Sequence, residues 1–144
     1  MIEINNLTTA EIDEKFLRKV ALEVLKGEKK EKTQLSVALI GQGRMRKLDK
    51  KYLRKNRVTD VLTFGQSLKY KIKDGGPKTQ DLGEIVICLR EIKKNAKRYN
   101  VNLEKELGRV LIHGILHLLG YDHEKNEKEA QKMEEKEKYY LNKI

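Results

Sequence analysis

The stretch HGILHLLGYDH, residues 113–123, holds all three histidines of the 144-residue chain. They stand at i, i+4 and i+10. The first two, His113 and His117, lie within an apolar run, LGRVLIHGILHLLG, that reads as a buried helix. A gap of four puts two side chains on one helix face, a turn apart. Gly120 can end that helix, because a residue without Cβ tolerates the left-handed conformation of a helix stop. The chain can then turn and bring His123 back over the face of the other two. Three imidazoles converging from a helix and the turn after it form a ligand set for one transition metal ion.

Outward from this stretch, Asn102 is placed to cap the helix LEKELGRVLIHGILHLLG, apolar on nearly every side after Arg109 and so expected to be the central, most buried helix. The final segment keeps a thin apolar stripe of Ala130, Met133, Tyr140 and Ile144, a surface helix packed along one edge. Before the central helix, LREIKKNAKRYN reads as a short helix with Leu89, Ile92, Ala96 and Tyr99 inward. EIVICL, TDVLTF and TQLSVALI read as strands, and Ile2–Asn5 as a short edge strand. Thr9 caps an amphipathic helix carrying Ile12, Phe16, Val20 and Val24, which stops near Gly27. Residues 44–54 form a short basic helix. Residues 65–81, with Gly75, Gly76 and Pro77, form a long loop or irregular hairpin. The expected architecture is α+β: one domain over residues 1–144, a mixed sheet of about four strands with packed helices, and a zincin-like central helix carrying two metal-ligand histidines.

The formal charge is +10 and is concentrated mid-chain. Eight basic residues stand against Asp49 between Arg44 and Arg57, and five against Glu91 between Arg90 and Arg98. Such a surface suits a polyanion, because each neutralised phosphate releases counterions; the alternative is a solvated lysine-rich face. The one cysteine, Cys88, excludes an internal disulfide and reads as a buried strand thiol. No secretion-signal pattern opens the chain, and no window approaches the ~18 apolar residues of a membrane span. A soluble, reducing, cytoplasmic setting is expected.

Three histidine ligands leave a coordination position open, as catalytic sites do, and a single cysteine cannot build a thiolate-closed structural site. The spacing matches the metzincin protease pattern HExxHxxGxxH, but Gly114 stands where those proteases carry their general base. Ordinary metzincin proteolysis is thereby removed. Gly114 instead permits close approach of another element or of substrate. Asp122 either orients an imidazole or holds its own turn. Tyr121 stacks or packs. Arg109 and Glu106 lie one and two turns before His113, within reach of the same face.

These residues resemble the YbeY family of bacterial ribosomal-RNA maturation factors, whose signature is HGxLHLxGYDH. LDKKYLRKNRVTDVLTF, residues 48–64, is similar to the family's LNxxYRxxDxPTDVLSF, and LGEIVIC, residues 82–88, to its LGDIxIx strand. The resemblance implies an α+β fold and one zinc ion held by His113, His117 and His123; three imidazoles also admit nickel or cobalt. It implies a metal-dependent, single-strand-specific endoribonuclease acting in ribosomal RNA maturation, at the small-subunit 3′ end, and in ribosome quality control. Pre-ribosomal particles, a small-subunit ribosomal protein and a ribosome-associated GTPase are the implied partners. Leu53, Asn56 and Val58 depart from the family's arginine, acid and proline. Arg54 or Arg57 is the expected replacement cation at the phosphate, with water or the RNA's own 2′-hydroxyl as nucleophile. The rival reading is a ribosome-assembly RNA-binding factor with a mainly structural metal, and a third is hydrolysis of another metal-polarised substrate such as an amide.

Overall fold

The computed structural model describes residues 1–52, 59–65 and 81–144. In chain order these form β1 (Ile2–Asn6), α1 (Glu14–Gly27), β2 (Gln34–Ile40), α2 (Gln42–Tyr52), β3 (Val61–Gly65), β4 (Asp81–Cys88), α3 (Leu89–Arg98), α4 (Leu103–Leu118) and α5 (Glu127–Leu141). Residues 66–80 of the expected loop lie outside the described residues, as do Leu53, Arg54, Asn56, Arg57 and Val58.

The strands form one mixed sheet in the order β1-β2-β4-β3, with β1, β2 and β4 parallel and β3 antiparallel to β4. Parallel neighbours need a crossover connection, which α1 supplies between β1 and β2. Strand β2 is buried on both faces because helices cover both sides of the sheet. Leu35, Val37 and Leu39 enter the larger core with Leu17 and Val24 of α1, Leu111 and Ile115 of α4, and Met133 and Tyr140 of α5. Ala38 and Ile40 face the other way, joining Leu62, Val86, Cys88 and Met45 of α2 in a smaller cluster. The strand alternation thus sorts one sequence into two apolar layers.

Helix α4 lies close on the sheet at Gly114. A Cβ there would sit 3.1 Å from Cδ1 of Ile85 on β4, so this glycine serves the approach of another element. At the far edge, Gly83 has φ +127°, and a Cβ there would fall 2.2 Å from the Phe64 carbonyl oxygen. The β3–β4 pairing therefore requires glycine at that position.

Three expectations are corrected. Helix α1 starts a turn later than Thr9 indicates: Asp13 is its cap, accepting from the Phe16 amide at 3.1 Å. Asn6 closes a turn there instead, its Oδ1 accepting from the Thr8 amide and hydroxyl and its Nδ2 donating to the Ala10 carbonyl at 2.8 Å, so Thr9 lies inside that turn and the helix begins later. Tyr99 is 59% exposed, because it lies at the end of α3, where the helical register stops. Ile144, past the end of α5, is 39% exposed, although its Cδ1 still lies against α4, 2.6 Å from where a Cβ on Gly108 would fall. No helix among the described residues is long and apolar enough to cross a membrane.

Candidate functional site

The site begins with two local signals on α4. Asn102 caps its start, Oδ1 accepting from the Lys105 amide at 2.7 Å. Gly120, at φ +105°, ends it: the Gly120 amide donates to the His117 carbonyl and the Tyr121 amide to the Leu116 carbonyl, each at 3.1 Å. This paired pattern closes the last turn and reverses the chain. His113 is half-buried on α4, His117 is exposed one turn on, and His123 is exposed on the returning segment. The His113 and His123 rings lie 5.3 Å apart, centre to centre, tilted by 54°.

Helix α5 supplies a residue that sequence reasoning passed over. The carboxylate of Glu137 takes the Nδ1 edge of His113. With the imidazole neutral, that contact favours the tautomer protonated at Nδ1 and leaves the Nε2 lone pair available. The signal was present in the chain: Met133, Glu137 and Tyr140 follow i, i+4, i+7, so Glu137 is an acid inside the inward stripe. Asp122 takes the other alternative weighed for it, accepting from the Glu124 amide at 2.9 Å and holding its own turn.

The turn that carries His123 is anchored from a distant part of the chain. Glu28, which ends α1, accepts from the Tyr121 hydroxyl at 2.5 Å, from the Tyr140 hydroxyl, and from Lys136 Nζ at 3.2 Å. Burial pushes the Glu28 carboxyl up, but these three donors outweigh it and hold the group below its usual range. Burial and the same carboxylate push the Tyr121 hydroxyl up to about 12 and raise Tyr140 as well. Tyr121 thus packs and hydrogen-bonds, fastening the returning segment to α1 and α5.

Arg109 and Glu106 find each other. Glu106 is buried at 2% exposure, and its two oxygens accept from Arg109 Nε at 2.9 Å and Nη2 at 2.8 Å. The pair fixes the guanidinium one turn before His113, with Nη1 outside the pairing. At the start of β3, the Asp60 carbonyl accepts from the Cys88 amide at 2.8 Å and its carboxylate from Asn95 Nδ2 at 3.3 Å, which ties the segment after the basic stretch to α3.

The donor set has the chemistry of a metal centre: imidazoles only, two of their rings adjoining, one oriented through Nδ1. Among the described residues, no three His, Cys, Asp or Glu side chains are gathered into a cluster able to hold an ion. Arg54 and Arg57 lie outside the described residues, so the expected phosphate cations have no position here.

Residues 3–144 match the model of the family described as endoribonuclease YbeY. Two curated proteins carrying the name endoribonuclease YbeY are similar. That of Thermodesulfovibrio yellowstonii is 41% identical over 76% of this chain and 66% of its own. That of Chlorobium luteolum is 31% identical over 99% of this chain and 97% of its own. A solution structure of a protein from Thermotoga maritima superposes with a TM-score of 0.67 at 33% identity, covering 98% of this chain and 87% of that one. These relatives define the class, endoribonucleases, hydrolases that cut RNA chains internally. The chain belongs to the YbeY endoribonuclease family.

Proposed function

We propose that this protein is a metal-dependent, single-strand-specific endoribonuclease that trims ribosomal RNA, at the small-subunit 3′ end, and acts in ribosome quality control within the cytoplasm. The observation that carries the reading is the pairing of the His113 and His123 rings with Glu137 behind His113, in a chain whose family cuts RNA. The residues that would hold the ion, zinc or alternatively nickel or cobalt, are His113, His117 and His123. Bound there, the ion would supply Lewis-acid charge to a phosphoryl oxygen and acidify water. Glu137 would hold the His113 proton at Nδ1 and keep Nε2 directed outward. Arg109, fixed by Glu106, would set positive charge beside the phosphate.

The surface supports a polyanion. Helix α2 carries Arg44, Arg46, Lys47, Lys50 and Lys51 and α3 the second basic run, and Gln42 of α2 donates to Glu91 of α3 at 2.9 Å, so the two helices meet near their starts. Pre-ribosomal particles, with a small-subunit ribosomal protein and a ribosome-associated GTPase, are the proposed partners. The test is cleavage of single-stranded ribosomal RNA by protein freed of contaminating nuclease, with metal content measured alongside. His113→Ala is expected to lose both cleavage and metal; undiminished cleavage by that variant overturns the reading. Leu53, where the family carries arginine, favours the alternative of an RNA-binding assembly factor with a mainly structural metal. That alternative predicts native protein that binds pre-ribosomal particles without cutting, and histidine variants that lose thermal stability.

A further inference from the structure

Tyr99 is the exposed aromatic that the α3 periodicity would have placed in the core. Its backbone is nonetheless fixed. The Val101 amide donates to the Ala96 carbonyl at 3.0 Å and the Asn100 amide to the Lys97 carbonyl at 3.3 Å, with Asn100 left-handed at φ +54°. Two residues later Asn102 opens α4. The ring is thus carried on a rigid three-residue link between two helices.

Beside it runs a groove of about 350 Å³ lined by Tyr99, Val101, Lys105, Glu106, Arg109 and Leu141. Its volume falls in the lower part of the range for small-ligand clefts, roughly 300–1,000 Å³. Tyr99 and the aliphatic side chains of Val101 and Leu141 give it an apolar wall. Glu106 and Arg109 offset one another, and Lys105 leaves the lining with a net positive charge. Arg109 reaches the groove from the helix face that carries His113 one turn later, about 6 Å along the axis. A groove with an apolar wall, an exposed aromatic ring on a fixed backbone and a net positive lining, on the same helix as His113, matches one ligand chemistry: an unpaired nucleobase with its flanking phosphate.

We infer that this groove is a base-stacking subsite for single-stranded RNA, in which Tyr99 takes the face of an unpaired base of the bound strand, away from the scissile linkage, and Lys105 and Arg109 face the strand's phosphates. The inference rests on the reading of the protein as a ribonuclease and gives a structural origin to its preference for single strands, since a base inside a duplex presents no free face. Glu106 sets the orientation of Arg109 and is a positioning residue.

The test compares the binding of a labelled single strand of 2′-O-methyl RNA, chosen to limit cleavage, with that of a duplex of the same sequence, by fluorescence anisotropy. Tyr99→Ala is expected to weaken the single strand at least about 5-fold, the lower end of what one stacked base contributes. Tyr99→Phe, which keeps the ring, is expected to restore native affinity, and the duplex to bind both variants as it binds the native protein. Tyr99 is exposed, so a thermal midpoint within about 2 °C of native checks that the fold is intact. Equal affinity of Tyr99→Ala and native protein for the single strand overturns the subsite and leaves the ribonuclease reading standing. A loss shared equally by the duplex overturns it also, since stacking cannot act there. Native protein that binds no single strand overturns both.

Discussion

Helices α3 and α4 end in the same way and to different effect. In each, the residue two past the cap donates to the carbonyl five back, the residue between donates to the carbonyl three back, and one left-handed residue turns the chain: Asn100 at φ +54°, Gly120 at φ +105°. After Asn100 the chain enters α4 almost at once, and Tyr99 remains on the surface. After Gly120 the next aromatic, Tyr121, is drawn to Glu28, 93 residues away in sequence, and His123 comes back beside His113. The stop is a local matter of backbone hydrogen bonds. What the stop presents, a bare ring or a histidine aimed at a second histidine, depends on whether a distant group takes hold of the residue that follows.

The largest expected effect comes from removing that hold. Glu28→Ala strips three donors of their shared carboxylate and is expected to cost about 3 kcal/mol in a urea titration, given the strength of hydrogen bonds to charged groups. It should also abolish the NMR cross-peaks between the His113 and His123 rings while leaving the amides at the end of α3 unshifted. Persistent cross-peaks would break the comparison, because the turn would then be placed by its own backbone.

The backbone itself is tested by substituting the two left-handed residues. Gly120→Val is expected to cost about 2 kcal/mol, since φ +105° lies beyond the region that a branched residue tolerates. Asn100→Gly should change stability by less than about 0.5 kcal/mol, because φ +54° suits either residue. Equal costs at the two positions would show that the stops are not the same device under different strain.

The smallest effect is in acid. Glu28 is held below its usual value of 4.5 in the folded state, so its contribution is complete above that value and is lost as the pH falls through the lower folded one. Over that window, native stability should fall more steeply than that of Glu28→Gln, as followed by thermal midpoints. Parallel curves would remove the charge from the account and leave only the hydrogen bonds.

The legible parts of this molecule are those whose cause is near in sequence. The spacing of His113 and His117, the Asn102 cap and the Gly120 stop all act within a few residues, and each is where the sequence places it. The strands TQLSVALI and EIVICL are recognisable because their runs are apolar enough to be covered on both faces. Difficulties arise where two signals of one type compete or where a partner is remote. Thr9 and Asp13 are both good caps, and Asn6 decides between them by closing a turn from Thr8 to Ala10 around Thr9. Tyr99 continues the spacing of Leu89, Ile92 and Ala96, but periodicity extends past the last helical residue only on paper. Glu137 looks like one more surface acid until α5 is laid against α4, 24 residues from His113. Asp122, adjacent to His123 in sequence, was the nearer candidate for orienting an imidazole, and it binds the Glu124 amide.

Among the described residues the sheet's two apolar clusters are unequal, and the chain's sole thiol lies in the smaller one. Cys88 is fully buried in the small cluster between β4 and α2, where burial raises its thiol pKa and suppresses its reactivity. A thiol reagent reaches it when the packing around that cluster opens. The labelling rate of Cys88 is therefore a clock for the opening of the cluster that Met45 of the basic helix α2 helps to close, and a comparison of rates with and without RNA reads whether bound polyanion holds it shut.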